Sequence, residues 1–220
     1  MMSKLLAIFC LATLLITSCS DNASTNNNTP IFSDDLLPLK VGNEWQYLDS
    51  SMYSDEAVVS TAVKRIIRLS DADIHGKQHK AFCQAEYDVN GEVKHQLFFS
   101  LDREGLYTYG SYNDPFNLIY RDRLVKLPLV LNQSWNAIYH HFTNLSHTFT
   151  HDTCVVKCIG LNENVSVPAG TFSCHKVSYT INDGTIVIDA WKVGVGLVER
   201  VMYKDDKLVL RRQLKSYNID

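Results

Sequence analysis

The sequence predicts a mainly β protein: an antiparallel, strongly curved sheet or open half barrel, with at most one or two short helices. Three observations predict it. From about residue 43 onward, short runs rich in Val, Ile, Thr, Tyr and Phe alternate at period two. Turn residues break these runs at short, regular intervals. Asn90-Gly91 and Asn182-Asp183-Gly184 are strong hairpin signals between such runs.

The elements follow in order. Residues 43–53 carry Trp45 and Tyr47 in alternation. Val59, Thr61, Val63, Ile67 and Leu69 form the next run; it also has helical spacing, but its β-branched content favours a strand. A run over 80–89 turns at Asn90-Gly91 into 92–101, and Arg103-Glu104-Gly105 leads to 106–110. Asp114-Pro115 suits a helix start, with a short helix over 115–121. Strands are then expected over 134–144, 148–159, 171–181, 185–192, 197–203 and 207–217. Such a succession reads as a meander.

Ahead of this domain lies an address. Lys4 precedes an apolar run, Leu5–Ile16, shorter than the roughly 20 residues that span a bilayer as a helix. Basic end, apolar middle and small residues before a cut site read as a secretory signal over residues 1–18. Ile16-Thr17-Ser18-Cys19 resembles a bacterial lipobox, which implies a lipid on Cys19. Several buried acyl chains, at about 0.8 kcal/mol per CH₂, give stable anchoring. Ser20–Pro30 has almost nothing to bury and is expected to be a flexible tether, completing a 19–30 linker. The folded part, 31–220, is expected to be a single β-rich domain in the cell envelope. Ser20 in place of the Asp that favours inner-membrane retention points to the outer membrane, with the side undetermined.

Loss of Lys4 with the signal leaves a formal charge of −4, which gives no electrostatic footprint for nucleic acid. The expected partners are the membrane, through the anchor, and either a lipid-like ligand or an envelope protein. One internal echo stands out: Pro38-Leu39-Lys40-Val41-Gly42-Asn43-Glu44-Trp45 parallels Pro128-Leu129-Val130-Leu131-Asn132-Gln133-Ser134-Trp135. It suggests two halves, 38–127 and 128–220, with chance recurrence as the alternative.

In an oxidising compartment Cys83, Cys154, Cys158 and Cys174 are candidates for disulfides. On one strand, Cys154 and Cys158 would lie about 13 Å apart, too far to bond. Cys158 with Cys174 is the preferred pair, leaving Cys83 with Cys154; the alternative is buried thiols. Phe98, Tyr107, Tyr109, Tyr112 and Phe116 crowd a short stretch and form the candidate pocket or interaction patch. The bland alternative is core on one side and capping on the other.

Catalytic signals are lacking. No Gly-x-Ser-x-Gly elbow, His-Glu-x-x-His helix or Walker A loop occurs. His75/His79 and His147/His151 are four apart, but on turns or strands that spacing does not bring imidazoles together. No metal site, catalytic residue or cofactor is expected. Gly194-Val195-Gly196 is a turn between strands and not a dinucleotide loop, since its third glycine and its helix are missing. Glu86, Asp88 and Glu92 read as a solvated hairpin tip around Asn90-Gly91.

Four blocks, LPLKVGNEWQY, LPLVLNQSW, VPAGTFSCHKV and WKVGVGLVER, together resemble a group of uncharacterised Gram-negative lipoproteins. The resemblance spans most of the mature chain, and its blocks are structural. It implies an open, highly curved antiparallel sheet, similar in outline to lipoprotein carriers that bind acyl chains. The leading expectation is therefore a non-catalytic, membrane-anchored lipoprotein binding an apolar or amphipathic ligand. The alternatives are a protein-interaction or structural module, and a hydrolase with an unfamiliar site.

Overall fold

The computed structural model describes residues 36–53, 56–110, 120–143, 148–181 and 183–220. Twelve strands account for most of them: β1 Glu44–Tyr53, β2 Glu56–Ile74, β3 Lys77–Tyr87, β4 Val93–Asp102, β5 Gly105–Gly110, β6 Tyr120–Lys126, β7 Ser134–Thr143, β8 Thr148–Val167, β9 Gly170–Thr180, β10 Ile186–Lys192, β11 Gly196–Lys204 and β12 Lys207–Asn218. All belong to one antiparallel sheet in the order β6-β5-β4-β3-β2-β1-β12-β11-β10-β9-β8-β7. Every hairpin pairs chain neighbours, and β1 pairs with β12. The sheet is thus two six-stranded meanders joined through the first and last strands. It curls almost into a barrel, with its edges β6 and β7 close together but sharing no ladder among the described residues.

Each predicted run falls largely on a strand, although Asp88 and Val89 lie in the turn after β3 and residue 144 lies outside the described residues; β2 runs on to Ile74 and β8 to Val167, beyond their sequence signals. β6 was not foreseen. The helix expected over 115–121 is contradicted at its end, where residues 120 and 121 begin β6; residues 111–119 lie outside the described residues. β6 reads Tyr-Arg-Asp-Arg-Leu-Val-Lys, a charged edge strand of the kind that discourages pairing with other chains.

The echoed segments make the same turn. Gly42 N donates to Ile66 O and Ile66 N to Asn43 O, both at 2.9 Å. Asn132 N donates to Cys158 O and Cys158 N to Gln133 O, again at 2.9 Å. The turn needs a left-handed residue, supplied by Gly42 (φ 98°) and Asn132 (φ 65°), the residue types that adopt it at least cost. A register shift then follows Ile66 in β2 and Cys158 in β8.

Alternation sends Trp45, Tyr47, Asp49 and Ser51 of β1 inward, opposite Lys64, Ala62, Ser60 and Val58 of β2. One continuous apolar cluster fills the interior at the end where the described chain enters. It includes Leu36, Trp45, Ile66, Leu106, Val125, Leu129, Trp135, Val198 and Leu214. Two long-range bonds fix β1 against the β10–β11 hairpin: Trp45 Nε1 donates to Val195 O at 2.6 Å and Tyr47 Oη to Leu197 O at 3.0 Å. Gly196, between these carbonyls, has φ 102°, and a Cβ there would stand 2.8 Å from Leu37 Cδ1.

Candidate functional site

Above the apolar cluster the interior carries charge. Register aligns Asp189 (β10) with Arg200 (β11), Arg200 with Arg212 (β12), and Arg212 with Asp49 (β1). Lys64 (β2), Glu86 (β3) and His95 (β4) form a second inward row. Like charges on Arg200 and Arg212 face each other across a strand pair, an arrangement that repels unless each is neutralised. Asp189 accepts from Arg200 at 2.7 and 2.8 Å. Asp49 accepts from Arg212 Nε at 2.8 Å and Nη2 at 2.6 Å. Arg212 also reaches both oxygens of Glu86 at 3.1 Å, and Lys64 Nζ lies 3.2 Å from the same carboxylate. Lys64 and Arg212 both lie against the Tyr47 ring, 6.0 and 5.5 Å from its centroid.

Burial and these partners set the ionisation. Burial works to raise the Glu86 pKa, but Lys64 and Arg212 prevail and hold it at about 2. Burial, with help from the Arg212 charge, brings Lys64 down to about 8. Burial also disfavours the Arg212 charge, yet the bonds to Asp49 and Glu86 raise its pKa. His95 is lowered by burial despite the neighbouring Glu86. The belt holds three cations, Lys64, Arg200 and Arg212, against three carboxylates, Asp49, Glu86 and Asp189. It is a closed, self-neutralising floor.

Beyond that floor, inward positions emerge into the open. Val58, opposite Ser51, is 54% exposed, and Leu97, opposite Gln84, is 37% exposed. The His95 side chain, on the same face, is 48% exposed. The interior is therefore filled at one end and open at the other. The opening has a charged floor and apolar residues on its wall. A separate cleft of about 390 Å³ lies at the filled end, beside Leu39, Phe82 and Leu101, with Lys40 and Asp220 3.7 Å apart at its rim.

The candidate aromatics are elsewhere. Phe98, Tyr107 and Tyr109 come together on the outer face of β4 and β5, around buried Cys83. They are buried and do not form an exposed patch. Arg121 of β6 lies 3.3 Å over the Tyr107 ring and donates to Tyr109 Oη at 2.9 Å. Arg123 Nη2 donates to Tyr107 Oη at 3.1 Å, and Arg68 lies over Phe98 at 5.7 Å. Stacked guanidinium groups thus cover part of the outer cluster. Tyr112, Phe116 and Cys19 lie outside the described residues.

No disulfide joins Cys158 to Cys174. Both thiols are free and buried, and two register shifts in β8 set Cys158 opposite Val177 but Glu163 opposite Cys174. Three residues of strand, about 10 Å, separate the positions. Cys83 and Cys154 sit in different clusters, Cys83 in the outer one and Cys154 inside. Burial raises the pKa of Cys83 and Cys158, and that of Cys174 to about 11.

The reading of Glu86 as part of a solvated tip is corrected. Asp88 forms the tip, accepting from Asn90 N at 2.8 Å and Glu92 N at 2.9 Å, while Glu86 turns inward two residues earlier. Among the described residues, no group of three or more His, Cys, Asp or Glu side chains is placed to hold a metal ion.

No protein-family model matches the chain, and no curated protein matches it. Two solved structures share the fold. One is a Bacteroides fragilis protein described as exported and as having a YmcC-like fold, with TM-score 0.56 and 13% identity over 86% of this chain and 99% of that one. The other is a Parabacteroides distasonis protein described as a lipoprotein, with TM-score 0.51 and 12% identity over 84% and 99%.

Proposed function

We propose that the protein is a non-catalytic envelope lipoprotein, anchored through Cys19, that holds an amphipathic ligand at the open end of its barrel. The observation that carries this reading is the exposure of inward-facing Val58 and Leu97 directly above a buried, charge-balanced floor. An apolar chain lies along that wall and its polar head meets His95 and the rim of the floor. A self-neutralised floor favours a zwitterionic or neutral polar head over a bare ion. The address rests on the lipobox, and likeness to one protein described as exported and one described as a lipoprotein supports it.

The test is native mass spectrometry of the mature chain, purified from membranes in detergent and offered lysophosphatidylcholine. A bound adduct, weakened in Leu97→Asp, is the expected result. Absence of any adduct, native or added, refutes the ligand reading and leaves the interaction module.

A further inference from the structure

The two ends of the barrel differ in charge. Because the meander is antiparallel throughout, the β2–β3, β4–β5, β6–β7, β8–β9 and β10–β11 turns lie at the filled end. The described chain also enters and leaves there, at Leu36 and Asp220. Among the described residues, the turns at this end and their flanking positions carry Lys40, Lys77, Arg103, Lys126 and Lys192, balanced by Glu44, Asp73, Asp102, Glu104 and Asp220. Two of its turns expose apolar tips at matching places of the two halves: Val41, 51% exposed, and Leu131, 40% exposed. The open end instead carries Asp88, Glu92, Asp183, Asp205 and Asp206, against Lys94, Lys204 and Lys207, and Lys204 is held by Asp183 at 2.8 Å.

We propose that the Val41/Leu131 end rests on the surface of the anionic bilayer that holds the Cys19 lipid, so that the open end faces away from the membrane. The proposal rests on the anchoring reading. Chain length argues for it: sixteen residues separate Cys19 from Leu36. Taken as the flexible chain its composition predicts, that segment spans roughly 20–25 Å root-mean-square. The inverted orientation would have to run it up the height of the barrel as well, about 35 Å for the 11 residues of β3. Charge argues the same way, because the balanced turns of the filled end meet an anionic surface without the repulsion that the net-acidic turns of the open end would feel. Val41 and Leu131 are then the residues that enter the headgroup layer.

Hydrogen exchange tests this on the lipidated mature protein in phosphatidylethanolamine/phosphatidylglycerol vesicles, with unlipidated Cys19→Ala protein as reference. Residues 40–43 and 130–133 are expected to exchange several-fold more slowly on vesicles, with residues 88–92 and 204–207 unchanged. The protection is lost in Val41→Asp/Leu131→Asp, which still floats with the vesicles. Protection of residues 88–92 and 204–207, or of neither set, in a protein that floats overturns the orientation alone. Failure to float overturns the anchoring reading and the orientation with it.

Discussion

Arg212→Met is the most informative single change. The arginine makes four bonds to two carboxylates, Asp49 and Glu86, in a site nearly closed to solvent. Met fills similar volume without charge, so packing is roughly kept. Glu86 retains Lys64, but Asp49 loses both of its arginine bonds. Breaking a buried pair on one side costs about 3–5 kcal/mol, because an uncompensated charge stays behind. For a domain of this size each kcal/mol lowers Tm by roughly 2–4 °C, giving a fall of about 6–20 °C. Thermal unfolding by circular dichroism reads this directly. The deficit should shrink as pH falls, since Glu86, which Arg212 helps hold at about 2 in the wild type, takes up its proton at higher pH in the variant. Replacing Asp49, Lys64, Glu86 and Arg212 together with apolar residues should be far less damaging than the single change. A single-variant loss below about 1 kcal/mol, typical of an exposed pair, would refute the picture of a buried belt.

Further outcomes follow from the same structure. Trp45→Phe should cost about 1–3 kcal/mol more in urea unfolding than Trp135→Phe, because Trp45 Nε1 is bonded to Val195 O while the buried Trp135 Nε1 has no partner among the described residues; equal losses would contradict that assignment. Glu86 is held at about 2 against an ordinary 4.5, so its contribution is complete above pH 4.5 and fades as pH falls toward 2; a plot of Tm against pH should be flatter over that window in Glu86→Gln. The thiols of Cys83, Cys158 and Cys174 should label with iodoacetamide at pH 8 only on unfolding, and rapid native labelling or a disulfide mass would contradict their burial. Cys19→Ala should leave most of the protein in the soluble fraction, and undiminished membrane retention on fractionation would sink the anchor.

The strands were legible because inward and outward positions alternate in side-chain character. β6 was not, because its stability comes from partners distant in sequence. Arg121 and Arg123 stack on Tyr107 from an adjacent strand, a gain that local propensity does not register. Glu86 was misread for the same reason. It lies two residues before Asp88 of the tip, and only the return of β12, 126 residues later, brings Arg212 to it. A signal was nevertheless present in β1: Trp45, Tyr47 and Asp49 share one face, so the aspartate is carried inward by the register of its neighbours. The preferred cysteine pairing assumed an unbroken β8–β9 ladder, and the shifts around Gly160 remove that premise.

The repeated turn shows how two equivalent hairpins line the interior differently. Counting from Trp45 and Trp135, inward Tyr47 corresponds to Ala137. Counting from Ile66 and Cys158, whose bonds to the turn match, inward Lys64 and Ala62 correspond to Val156 and Cys154. The β1–β2 hairpin thus brings Lys64 where the β7–β8 hairpin brings Val156, and Arg212 and Asp189 complete the charge from β12 and β10. Equivalent backbones therefore line the barrel with charge on one side and with Ala137, Cys154 and Val156 on the other. Both halves supply charge to the belt, Asp49, Lys64 and Glu86 from the first and Asp189, Arg200 and Arg212 from the second, so the two-faced interior comes from the contrast between the β1–β2 and β7–β8 hairpins and not from one charged half and one apolar half. A two-faced interior of this kind suits the amphipathic ligand proposed above.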